Sequence, residues 1–239
     1  RFRTDFRWLA RALGEVRDLD VYRDRLRGQS GLLDPALQSA LGPFEDALEK
    51  QHGVARTELA RTLASDRYEQ LIRDFARWVH RGPSAAAWRR WSSLTIRDGA
   101  PDYIDAAIRR VRKCGRRIDG DSPPGELHDL RIRVKRLRYL MEIFAPVYGN
   151  ALAKRSRQVR QLQDTLGAYQ DACVAMTQLE ARSEQLQARS EATDELEAIE
   201  KLCEIEQASA AAARKRFARD WRGFATQFDR AEIRRILSH

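Results

Sequence analysis

The chain of 239 residues is 43% hydrophobic and 33% charged, with a formal net charge of +9 at pH 7 and a pI of about 9.9. That is enough apolar material for a substantial globular core in one large or two small domains. Apolar runs are only a few residues long, which excludes a spanning helix, and the opening RFRTDFRWLA lacks the layout of a signal peptide, so a cytoplasmic location is the expected default.

Nearly every segment carries helical periodicity, and Gly, Pro and Ser–Asp signals mark the breaks. The pattern predicts helices over 2–27, 35–41, 44–63, 66–81, 102–118, 126–149, 151–188 and 192–236. Asp34-Pro35 reads as an N-cap with proline at the first helical position, and Ala100-Pro101-Asp102 as a similar start. Loops are expected at 28–31, 81–93 and 119–125. The fold class is therefore all-α, built from long antiparallel helices. Cys114, Cys173 and Cys203 are far apart and form no CxxC pair, and the four histidines have no HExxH spacing. No metal or cofactor is expected. Trp8, Trp78 and Trp221 read most simply as core residues.

Residues 127–144, LHDLRIRVKRLRYLMEIF, divide into two stripes. Leu127, Leu130, Val134, Leu137, Met141 and Phe144 recur at steps of three and four, the spacing of a core-facing helical surface. At ~100° per residue, His128, Arg131, Lys135 and Arg138 fall within an arc of roughly 80° beside that stripe. Such a row reads either as a solvated face or as a site for a ligand with several phosphates in line, and spacing alone leaves both open. Arg133 and Arg136 lie on other azimuths and read as surface charge. Glu142, one turn beyond Arg138, reads as an acid that orients an arginine.

Of the 44 cationic residues 38 are arginine, whose planar fork matches phosphate oxygens. Residues 107–160 carry a net charge of +10 and residues 180–206 a net charge of −6, a segregation that favours a localised polyanion site. The cations of helix 102–118 could extend such a path or simply be solvated.

Residues 6–26 and 159–179 align at an offset of 153 with seven identities in 21 positions, including Arg7/Arg160, Leu13/Leu166, Gly14/Gly167 and Asp18/Asp171. A mid-helix glycine costs about 1 kcal/mol relative to alanine, so its recurrence suggests a close backbone approach at both places. Asp18 and Asp171 would pair with cations on a facing helix. The basic helix precedes the second copy, so its counterpart should precede residue 1, and the first helix of the first repeat is expected to be missing from this chain.

These segments resemble the CHAD family, the conserved-histidine α-helical domain. LHDLRIRVKRLRYLMEIF looks like its signature helix, and FRWLARALGEVRDLDVYRDRL and RQLQDTLGAYQDACVAM look like its two LG helices. The resemblance implies a single domain over 1–239, made of two antiparallel bundles related by a pseudo-twofold repeat, with halves at 1–120 and 121–239. It implies non-enzymatic binding of inorganic polyphosphate by His128, Arg131, Lys135 and Arg138, with Arg7, Arg11, Arg17 and Arg160 as further contacts. Association with polyphosphate granules goes with that reading.

Three other classes are weighed against it. A nucleic-acid module would share the basic groove, but no aromatic series interleaves with the cationic row for base stacking. A phosphate-processing enzyme would need a phosphate loop or an acid cluster for Mg²⁺, and neither motif occurs. A helical scaffold or homodimer could use the acidic segment 180–206, although its Leu179, Leu186, Leu196, Ile199, Leu202 and Ile205 fit internal packing better.

Overall fold

The computed structural model describes residues 2–82, 84, 86, 95–189, 193–228 and 230–237. Regular structure among them is helical, with no strand. The helices are α1 (Phe2–Ser30), α2 (Pro35–Ala40), α3 (Gly42–Leu63), α4 (Asp66–Arg81) and α5 (Ile96–Gly115). The stretch Pro124–Arg189 breaks at Gly149, whose φ of 66° and ψ of −153° give α6 (124–148) and α7 (150–189). Only glycine takes that backbone without strain. α8 (Thr193–Gln227) and α9 (Arg230–Leu237) complete the chain.

The compact units are 1–88 with 177–205, and 89–176 with 206–239. This is a different partition from halves at 1–120 and 121–239. Helix α5 packs into the second unit, and the acidic end of α7 and start of α8 belong to the first. The loop expected at 81–93 lies largely outside the described residues.

In the first unit the carboxyl half of α1 packs on α3, with Tyr22 and Leu26 buried against Phe44 and Leu48. Buried His52 is held at Nε2 by Asp20 (2.8 Å) and at Nδ1 by Arg23 (2.8 Å). Towards its amino end α1 meets α4, where Phe2 and Phe6 surround Phe75 at 5.6 and 5.0 Å. Trp78 is 58% exposed, so the expectation of a core tryptophan fails there. Leu179, Leu186, Ile199 and Leu202 are buried, and Arg182 pairs with the buried Glu195 at 2.7 Å.

The second unit is a ring of four antiparallel helices whose polar cross-links give the register. His128 meets Gln170, and Glu142 meets Arg160, between α6 and α7. Asp220 meets Thr165, and Arg214 meets Tyr169, between α7 and α8. Arg112 donates to the Phe228 carbonyl (2.6 Å) to join α5 to the end of α8, and Tyr148 donates to the Arg97 carbonyl (2.6 Å) to join α6 to α5. Leu127, Leu130, Val134, Leu137 and Met141 are buried in its core, with Phe144 half-buried against it.

Helix α5 starts earlier than expected. Thr95 caps it in a reciprocal box with Asp98, and Pro101 sits inside the helix instead of at its start. Pro101 has no N–H to offer the Arg97 carbonyl, and the Tyr148 hydroxyl takes that place. Burial pushes the Tyr148 phenol up, which keeps it a donor. The carboxyl end also differs, since one helix over 192–236 is in fact α8 and α9.

Two repeat-based expectations are overturned. A Cβ added at Gly14 or Gly167 would meet nothing within 4 Å, so neither marks a close approach. The crowded glycine is Gly115, where a Cβ would run into the Trp221 ring. Asp18 and Asp171 have no polar partner among the described residues. Cover also differs between the aligned segments: Phe6 and Leu13 are 37% and 45% exposed, whereas Val159 and Leu166 are 0% and 1%.

Candidate functional site

The basic row of α6 lies in the second unit, at the border between core and solvent. Its apolar stripe faces the bundle interior, which leaves His128, Arg131 and Arg138 half-buried and Lys135 exposed along the side nearest α7. Stems packed beside a core with charged heads held out are the arrangement long cationic side chains favour.

The four cations are held differently. Gln170 Oε1 accepts from His128 Nδ1 at 3.0 Å, and Nε2 has no polar partner among the described residues. Arg131 has no polar partner among the described residues, and Lys135 no acidic one; its Nζ lies 5.8 Å from the Tyr139 ring. Arg138 places its guanidinium 4.7 Å from the same ring and donates to Glu142 Oε1 at 3.2 Å. The same carboxylate oxygen accepts from Arg160 on α7 at 2.8 Å. That bond and the Glu142 charge push the Arg160 guanidinium up, so it stays a permanent cation.

Glu142 thus joins the end of the α6 row to Arg160, and the structure brings together His128, Arg131, Lys135, Arg138 and Arg160 on adjoining faces of α6 and α7. Arg7, Arg11 and Arg17 lie on α1 in the first unit, exposed and without a polar partner among the described residues. Arg133, expected on the surface, is half-buried, and its Nε lacks a hydrogen-bond partner. Gln170 went unnoticed in sequence because nothing local links it to a histidine 42 residues away.

Helix α5 spends part of its charge on structure, since Arg109 pairs with Asp105 and Arg112 anchors Phe228. Lys113, Arg116 and Arg117 are exposed. Among the described residues no group of three or more His, Cys, Asp or Glu could hold a metal ion, and no helix is long and apolar enough to cross a membrane.

Fold and surface define an all-helical protein with a cationic row built onto the edge of a helical bundle. The sequence profile of the CHAD domain matches residues 1–180, and the chain belongs to that family. Polyphosphate binding is the role known for the family, whose domains are generally binding modules and not catalysts. Two proteins of Mycobacterium tuberculosis are similar: the uncharacterized protein MT2285 of strain CDC 1551 / Oshkosh and the uncharacterized protein Rv2226 of strain ATCC 25618 / H37Rv. Each is 30% identical over 188 residues, covering 73% of this chain and 33% of the relative, so the chain spans about a third of their length.

Proposed function

We propose that the chain binds inorganic polyphosphate without chemical turnover, along the α6 row of His128, Arg131, Lys135 and Arg138 and onward to Arg160. The observation that carries this reading is that Arg131 and Lys135 have no acid among the described residues to neutralise them, beside two arginines already oriented by Glu142. Guanidinium forks fixed at their bases are pre-organised for a row of phosphate oxygens, and Lys135 adds a mobile charge that tolerates several registers. Arg7, Arg11 and Arg17 are proposed as a further set of phosphate contacts supplied by α1. The protein would act in the cytoplasm, drawn to polyphosphate granules by the same interaction.

A nucleic-acid backbone would satisfy the same cations. The exposed Tyr139 is the aromatic beside the row, but the Arg138 guanidinium lies over its ring, which leaves no open series for base stacking. Titration with polyphosphate across a salt series tests the reading. The Arg131→Ala/Lys135→Ala/Arg138→Ala variant is expected to lose at least about tenfold in affinity and to flatten the log Kd against log salt slope by about two, as expected for three lost phosphate contacts. Unchanged binding in that variant would remove the site. Preference for single-stranded RNA at matched charge would replace the ligand.

A further inference from the structure

Beyond the α6 row, a groove of about 760 Å³ runs between α7 and α8 within the second unit. Arg157 and Arg160 line it from α7, and Arg216 and Arg219 from α8. Its acids are Asp164 and Asp220. The Asp220 side chain is only 3% exposed; it accepts from Thr165 Oγ1 at 2.6 Å and from Gln161 Nε2 at 3.1 Å, which locks the floor of the groove. Arg219 Nε stands 3.5 Å from it.

Some exposed arginines find acids one turn away, as Arg61 does with Glu58, Arg73 with Glu69 and Arg77 with Asp74, whereas others, such as Arg7, Arg11 and Arg17, have no polar partner among the described residues. Arg157 and Arg216 are of the second kind, exposed and without a polar partner among the described residues, and they line the same groove. The lining carries four guanidinium groups against the two carboxylates of Asp164 and Asp220, and with Arg160 and Arg219 already paired to acids it is Arg157 and Arg216 that leave the channel open to an anion. Arg216 and Arg219 also lie outside the family-matched span of 1–180.

The groove adjoins the row already described, because Arg160 lines it while sharing Glu142 Oε1 with Arg138. We infer that the α7–α8 groove is a second phosphate site that continues the α6 row, so that long polyphosphate chains engage both and short ones do not. This inference rests on the polyphosphate reading above. All eight lining residues are Arg, Asp, Gln or Thr, so the groove offers oxygen-directed donors and no ring for a nucleobase. Asp164, an exposed acid at the rim, opposes the ligand and tempers its affinity.

The test titrates tripolyphosphate and a long-chain polyphosphate, across a salt series, into wild type, Arg157→Ala/Arg216→Ala/Arg219→Ala, Arg131→Ala/Lys135→Ala, and Asp164→Asn. In the groove variant the advantage of the long chain over tripolyphosphate should fall at least about tenfold and its salt slope by about two. Asp164→Asn should strengthen long-chain binding, and this single neutral exchange carries the test if the triple variant fails to fold. Wild-type long-chain affinity in the groove variant, or no gain with Asp164→Asn, overturns the inference while the row stands. Wild-type binding in the Arg131/Lys135 variant removes the α6 row as the site that the groove would continue, and with it the reading this inference rests on. Tighter binding of RNA of matched charge than of polyphosphate overturns both.

Discussion

A glycine within a helix is destabilising by about 1 kcal/mol relative to alanine unless a neighbour needs the space. Gly14 and Gly167 look alike in sequence, each following a leucine in an aligned helix, yet both face open space. Gly115, by contrast, sits under the Trp221 ring. Gly14→Ala and Gly167→Ala should each raise stability by about 0.5–1 kcal/mol, whereas Gly115→Ala should lower it by about 1–3 kcal/mol through overpacking. Denaturant midpoints compared at constant m-value would check all three. The arginines teach the same lesson. Arg138 and Arg133 both read as cations on one helix, but only Arg138 finds a carboxylate, and Arg133 is drawn inward with its Nε unpaired.

At the scale of elements, periodicity located the helical segments because it is a local property, and α3 and α4 end at the residues expected. Boundaries failed where a distant residue supplied a missing bond. Pro101 signals a helix start, but the helix runs through it because Tyr148, far along the chain, satisfies the orphaned Arg97 carbonyl. The true start depends on Asp98, whose carboxylate accepts from Thr95 Oγ1 and N and is thereby held below its ordinary value of 3.8. A carboxyl depressed in the folded state stabilises above 3.8 and loses that contribution as pH falls through its folded value. Asp98→Asn should therefore flatten the acid limb of the stability curve below 3.8, which thermal melts over a pH series would reveal.

At the scale of the molecule, charge segregation resolves into particular places. The basic span 107–160 supplies α5, α6 and the start of α7 in the second unit, and the acidic span 180–206 packs almost wholly with the first. Ligand binding by the native state alone raises apparent stability by mass action. Long-chain polyphosphate should accordingly raise the thermal midpoint at low salt and lose that effect as salt rises, whereas an equal concentration of orthophosphate should leave the midpoint nearly unchanged. A scanning-calorimetry series with the two anions would show it.

The all-helical class, the apolar stripe of α6 and the cationic row beside it were legible in the amino-acid order, because each follows from the 3.6-residue repeat within one segment. The family could be read from the same residues, and the profile match over 1–180 agrees. Tertiary structure alone decided which glycine is crowded, that Gln170 holds His128, that one Glu142 oxygen serves Arg138 and Arg160, and that arginines of α7 and α8 face one groove. These depend on contacts between residues from 18 to 106 positions apart, and short-range patterning carries no information about which distant side chains will meet.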